Sequence, residues 1–327
     1  MHYNHWMLSI LLHGLVVALY AGLAWHFWRT RWKNERALES ASHQRLSSNA
    51  LGFQWWERAL LTAAVALHAV LLADAVLGSG QFRFGFAHAL SMMALLALVF
   101  YGIESLIHRL EGMPALVLPP AAVSVALPAL FDGAALTAQA QAPAFVAHVL
   151  IAMLAYAFFA IAAAHAVLMM VVERRLHRRR GDGRAAAVLG GLAGPPGLGG
   201  TAGPGGSMGI PPMGMPPMGV PPLGMPPLLT MERLLFQMLA AGFVLLTLTL
   251  ASGIVFSDEI FGRALRLDHK TVFGILAWLI FAVLLLGRAV YGWRGRTALK
   301  GTFAGFAALL LAYVGSRFVV EVVLGRV

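Results

Sequence analysis

FVAHVLIAMLAYAFFAIAAAHAVLMMVV, residues 145–172, runs for 28 positions without an Asp, Glu, Lys or Arg, until Glu173-Arg174-Arg175 stops it. As a helix it measures about 42 Å, more than the roughly 30 Å of hydrocarbon in a bilayer. It reads as a membrane-crossing helix. Working outward, similar apolar segments fall at about residues 6–28, 59–77, 86–107, 114–131, 234–256, 271–287 and 302–325, which makes eight spans. The fourth is short and carries Pro114, Pro119, Pro120 and Pro128; membrane helices tolerate proline where neighbours satisfy the freed carbonyls. Only 12% of the 327 residues are charged, against about 25% in a soluble domain. That excludes a soluble globular protein. Short alternating segments, the mark of a membrane β-barrel, are missing. The expected fold class is all-α, a polytopic membrane helix bundle of about eight transmembrane helices.

Charge orients it. Eighteen Lys and Arg fall in the odd-numbered loops and four in the even ones. The positive-inside rule places the odd loops in the cytoplasm and both termini outside. This asymmetry also accounts for the net charge of +10, so no nucleic-acid partner is expected. The first span lacks a basic leader and is followed by Arg29, Arg31 and Lys33, so a retained helix is expected rather than a cleaved signal. With no cysteine, the chain has no disulfide or thiolate chemistry of its own.

Three regions follow: residues 1–172 with helices one to five, a cytoplasmic linker at 173–230, and 231–327 with helices six to eight. The linker opens with Glu173-Arg174-Arg175-Leu176-His177-Arg178-Arg179-Arg180, a candidate membrane-surface anchor. It ends in a five-residue repeat, Pro211-Pro212-Met213-Gly214-Met215 and its two successors. Such low-complexity sequence cannot build a core, so a disordered linker of polyproline character is expected; a proline-reading partner is the alternative use.

Ionisable groups inside a bilayer are costly and mark candidate functional positions. His13 and His68 fall near mid-membrane, His26 and His165 toward the cytoplasmic end, and His88 and His148 at the outer ends of spans three and five. Asp74 lies near the outer end of span two and Glu104 near the inner end of span three. Arg317 and Glu321, at i and i+4, can pair on one helix face. Most of these side chains have an ordinary reading as hydrogen-bonded members of a helix bundle. His148 differs. It opens a helix at the outer surface beside Phe145, where a neutral imidazole is placed to coordinate a ligand.

The sixth loop carries the most information. From Gly253 to Trp278 it resembles the tryptophan-rich segment of the cytochrome c assembly family, G-x-x-W-x-x-E-x-W-G-x-Y-W-x-W-D-P-K-E-T-W with a further Trp five residues on. Gly253, Glu259, Gly262, Asp268, Lys270 and Trp278 match. Phe256, Phe261 and Phe273 stand at tryptophan positions, as do Leu265 and Leu267. His269 replaces the proline and Thr271 the glutamate. Ala147-His148-Val149, with Leu154-Ala155-Tyr156 following, resembles the family's external haem-binding histidine and its helix. Trp278 to Phe281, Gly292-Trp293-Arg294-Gly295-Arg296 and Tyr313-Val314-Gly315 resemble the closing helices. The resemblance covers about residues 86–172 and 231–327 and is strongest to the YpjD-like inner-membrane branch, within a family that includes CcsA/ResC, CcmC and CcmF.

The resemblance implies a bacterial inner-membrane, multi-pass protein that binds or passes haem at the outer face, not an enzyme. Its partners would be lipid and other cytochrome c assembly proteins or an apocytochrome. His148 would be an axial ligand and His269 a substitute second one. Phe256, Phe261 and Trp278 would stack on the ring, with Asp268 and Lys270 on its polar edge. The family's membrane histidine aligns with Leu286 and its second external histidine with Leu324. Those two leucines favour a second reading, an accessory interaction subunit that has lost haem handling. A third reading is a small-solute or ion transporter using Asp74, Glu104, Arg317 and Glu321 inside the bundle.

Overall fold

The computed structural model describes residues 2–32, 53–78, 82–108, 110, 112–131, 133–135, 142–192, 228–261 and 269–324; at 2–6, 135, 175–192 and 256–261 it describes the backbone alone. The helices are α1 (His2–Phe27, continued by a π-helical turn Trp28–Trp32), α2 (Trp55–Leu77), α3 (Phe86–Ile107), α4 (Pro114–Leu130), α5 (Pro143–Leu192), α6 (Leu228–Phe261), α7 (His269–Tyr291) and α8 (Arg296–Leu310). Helix α8 runs on through Leu311–Gly315, Ser316–Phe318 and Val319–Val323, two of these turns being π-helical. Among the described residues, seven helices are long and apolar enough to cross a membrane, and α4 is a shorter apolar eighth. The protein is an all-α polytopic membrane bundle.

Successive helices alternate in direction. One end of the bundle, the His148 end, therefore holds the starts of α3, α5 and α7 and the ends of α2, α4, α6 and α8. Here β1 (Arg83–Phe84) pairs antiparallel with β2 (Ala134–Ala135), Arg83 opposite Ala135. Helix α1 packs on α4 and α2, α3 lies between α4 and α5, α5 packs along α6 and against α8, and α7 sits against α6 and α8. Inside a bilayer apolar burial does not drive helices together, and close approach through small residues does. Helix α5 follows this rule: Ala152, Ala155, Ala157, Ala162 and Ala166 are all buried. Large apolar side chains such as Leu11, Val70, Val290 and Leu286 point outward.

Among the described residues the closest ring pair is an aromatic stack between glycines. The Phe159 and Phe281 rings lie parallel with centroids 3.9 Å apart. A Cβ on Gly242 would come 3.1 Å from Phe159, and one on Gly305 would come 2.6 Å from Phe281. One side chain each from α5 and α7, and one bare backbone each from α6 and α8, close the four-helix half.

Two expectations meet differences. Helix α5 continues to Leu192, through the basic run that the sequence assigns to the linker. With no Pro between Glu173 and Leu192, nothing in that stretch forces the helix to stop. The proline repeat lies outside the described residues. Asp74 is exposed near the end of α2, with its backbone carbonyl taking the Gly78 N–H at 2.7 Å. It does not line the bundle interior, which removes it from the transporter reading.

Candidate functional site

His148 stands two turns into α5 at the bundle end, half-buried. Its Nδ1 lies 2.8 Å from the Ser252 hydroxyl on α6. That hydroxyl donates its own proton to the Thr249 carbonyl at 3.1 Å. Where Ser252 accepts from the ring, Nδ1 is the protonated nitrogen. The acceptor lone pair is then on Nε2. This is the arrangement of a metal-ligating histidine, in which a partner holds one ring nitrogen and orients the other. The ring also lies over the first glycine of the motif: a Cβ on Gly253 would sit 3.5 Å from His148 Cε1. Phe145 flanks it with centroids 6.1 Å apart.

The other sequence candidates distribute unevenly. Trp278 donates from Nε1 to the Thr247 hydroxyl at 2.9 Å and stacks on Phe243 at 5.4 Å. Thr247 is five residues before Ser252 on α6, about 7.5 Å along the axis, so Trp278 lies deeper than His148. Helix α7 runs antiparallel to α6, because Gly274 faces Leu250 while Trp278 faces Thr247. His269 and Lys270, exposed at the start of α7, are consequently at the His148 end. The Phe256 and Phe261 side chains and all of Asp268 fall outside the described residues. Among the described residues no three His, Asp or Glu gather as a metal site. Leu286 is 63% exposed and Leu324 55% exposed; neither position points into the bundle. One oriented nitrogen donor therefore fits a haem iron, and no second one is placed where the family pattern has it.

A second polar cluster occupies the same end. The Phe86 N–H at the start of α3 donates to Glu321 at 3.3 Å, and Arg317 lies 3.8 Å from the same carboxylate. A Cβ on Gly85 would come 2.7 Å from Glu321. The i, i+4 pair legible in sequence thus also ties the end of α8 to the start of α3. At the opposite end, buried Glu57 accepts the Gln54 backbone N–H at 2.9 Å and sits 2.8 Å from His26 Nε2 and 3.4 Å from Arg31. Glu104 faces His165 at 3.0 Å with both side chains buried. In mid-bundle Tyr20, His68 and Ser91 form a buried chain, 3.2 Å and 2.8 Å between their polar atoms.

Sequence reasoning missed Ser252, the residue that holds the His148 ring at Nδ1. The available signal was depth: α5 and α6 run antiparallel and are joined by the long linker at one end, so residue 148, at the other end, must face the last turns of α6. His165 and Glu104 were each read near the same end of their spans, and the structure brings them together on α5 and α3.

These observations define a class: a multi-pass helical membrane protein with one oriented imidazole at a bundle end, beside the final turns of the helix that opens the degenerate motif. The sequence pattern of the cytochrome c assembly protein family matches residues 55–324, and the chain belongs to that family. It is similar to Inner membrane protein YpjD of Escherichia coli K12, 40% identical over 95 residues, covering 29% of this chain and 35% of the relative. It is also similar to Cytochrome c biogenesis protein CcsA of Prochlorococcus marinus NATL1A, 33% identical over 85 residues, 26% of this chain and 27% of the relative. The CcsA of Gloeobacter violaceus is 29% identical over 92 residues, 28% of this chain and 27% of the relative. The matched stretch thus spans about a third or less of the length of these curated relatives. No solved structure matches the chain.

Proposed function

We propose that this protein holds haem at the outer face of a bacterial inner membrane during cytochrome c assembly, with His148 as the axial donor. One observation carries the reading: His148 stands at the bundle end with its Nδ1 2.8 Å from the Ser252 hydroxyl on α6, as a ligating histidine is held by a partner on one ring nitrogen. Haem, when bound, supplies the iron and the flat apolar ring. Histidine is a common axial ligand and aromatic faces stack on such a ring. Phe256 and Phe261 are assigned to that stacking, Lys270 to pairing with a propionate, Asp268 to the polar edge and His269 to the second axial position. Trp278 braces α7 against α6 below the ring. The outer-face assignment rests on charge, since the loops rich in Lys and Arg join helices at the end opposite His148. The protein presents a cofactor and is not an enzyme. Lacking cysteine, it has no thiol to give to a thioether bond, so covalent attachment belongs to an apocytochrome partner.

The exposed Leu286 and Leu324 favour the second reading, an accessory subunit without haem. The two separate in one experiment. The chain is purified in detergent from haem-replete cells and its haem is measured as the pyridine haemochrome. A single strong axial donor leads to substoichiometric haem in the wild type and none in His148→Ala. A colourless wild type with normal expression establishes the accessory reading instead, and equal haem in both proteins removes His148 from the site.

A further inference from the structure

The turn joining α7 to α8 builds a feature that the haem reading does not use. Gly292 and Gly295 both take positive φ, +65° and +57°, a region glycine enters without steric cost. The chain therefore folds Trp293 back onto α7, its N–H donating to the Gly287 carbonyl at 3.2 Å. The indole lies flat on Gly287, where any Cβ would collide with it. Arg288 donates to the Trp293 carbonyl at 3.3 Å and to Glu232, and Arg294 lies 3.5 Å from the same carboxylate. Glu232 thereby matches two arginines and fastens the turn.

Next to this turn, on the lipid-facing side, α7 and α8 leave a cavity of about 490 Å³. Leu279 and Val283, both about half exposed, form one wall and Ala304 the other. Gly301 keeps the floor low; a Cβ there would meet Leu284 at 2.9 Å. The far end is polar. Thr297 and Lys300 are exposed and share a helix face with Ala304. The groove thus runs from a cationic, hydroxyl-bearing mouth at the bundle end to an apolar trough toward mid-membrane, over about 10 Å from residue 297 to residue 304. No acidic residue lines it. The acids nearby, Glu232 and Glu173, face Arg288, Arg294 and Arg296. Tyr291, exposed and stacked with Trp293 at 6.3 Å, supplies the aromatic that membrane interfaces favour.

We propose that this groove is a binding site for one anionic phospholipid, its phosphate on Lys300 and Thr297 and an acyl chain along Leu279, Val283 and Ala304. The polarity gradient of the groove parallels that of a lipid, and basic pockets between membrane helices take anionic headgroups. The proposal is independent of haem.

Native mass spectrometry of the full chain in detergent tests it, with phosphatidylglycerol and phosphatidylcholine of the same acyl chains as probes and glycerol 3-phosphate as the chain-free control. The wild type retains phosphatidylglycerol over phosphatidylcholine by about fivefold, the factor carried by ~1 kcal/mol for one lysine at a membrane surface. Lys300→Gln brings the two lipids to near parity. Ala304→Phe fills the trough and lowers retention of both. Glycerol 3-phosphate does not bind. Both side chains are exposed, so each variant is checked for unchanged helix content, and where one fails to fold the other decides. Wild-type retention in a folded variant overturns the site. So does glycerol 3-phosphate binding as well as the lipid, since the phosphate alone would then account for it.

Discussion

A serine hydroxyl holds the His148 ring, 2.8 Å from its Nδ1. Ser252 also reaches the Thr249 carbonyl at 3.1 Å, and with its proton there it accepts from the ring. The same accounting applies to His68, held between Tyr20 and Ser91 in the apolar interior. A neutral ring there has one donor and one acceptor, and two hydroxyls satisfy both. Interhelical hydrogen bonds of this kind contribute about 1 kcal/mol each in membranes. They specify which helices meet more than they hold the bundle together. At His148 the stake, on the proposed function, is ligation. Partners that orient a ligating histidine are worth about 10–100-fold in metal affinity. Ser252→Ala should therefore weaken haemin binding by about that factor in a Soret titration of the purified chain, with helix content unchanged. Wild-type affinity in that variant would show that the hydroxyl does not prepare the ring. The hydroxyl was not legible in the sequence because serine at a helix end is common and its role depends on a residue 104 positions away.

Helix positions were readable because a bilayer imposes a length on every apolar run. The eight expected segments correspond one to one with α1–α8, and the ends of α2, α3 and α4 fall within a few residues of expectation. The proline-rich α4 also forms, with Pro114 at its first position, where no N–H is needed. Ends not fixed by the bilayer were less readable: α5 runs to Leu192 because its basic stretch continues a helix beyond the apolar limit. Packing was not readable either, since alanine- and glycine-rich helices advertise close approach without naming the neighbour. The Phe159–Phe281 stack shows the consequence. Gly305→Leu places a side chain where a Cβ alone would lie 2.6 Å from Phe281. Overpacking of this kind costs about 1–3 kcal/mol, so the thermal unfolding midpoint in detergent should fall clearly below the wild type. An unchanged midpoint would mean that Phe281 yields freely and that its contact with Gly305 does not hold α7 to α8.

At the scale of the whole molecule, two ends with different chemistry emerge. One has His148, His269 and Lys270 with the start of the degenerate motif; the other has most of the chain's basic residues, Glu57 with His26 and Arg31, and the Trp293 turn with its lipid-sized groove. The sequence made this division legible through charge, and the alternating helices place the two sets at opposite ends. It could not show that Asp74 is exposed or that Glu321 meets the start of α3, because both depend on how the helices rotate about their axes. The central claim is that the His148 end faces out of the cell. The cysteine-free chain allows a clean measurement: single cysteines at His269 and Arg296, both exposed and at opposite ends, probed in intact cells with a membrane-impermeant maleimide. The account predicts that His269→Cys is modified from outside and Arg296→Cys only after the membrane is permeabilised. The reverse pattern would contradict it and remove the outer-face site for haem.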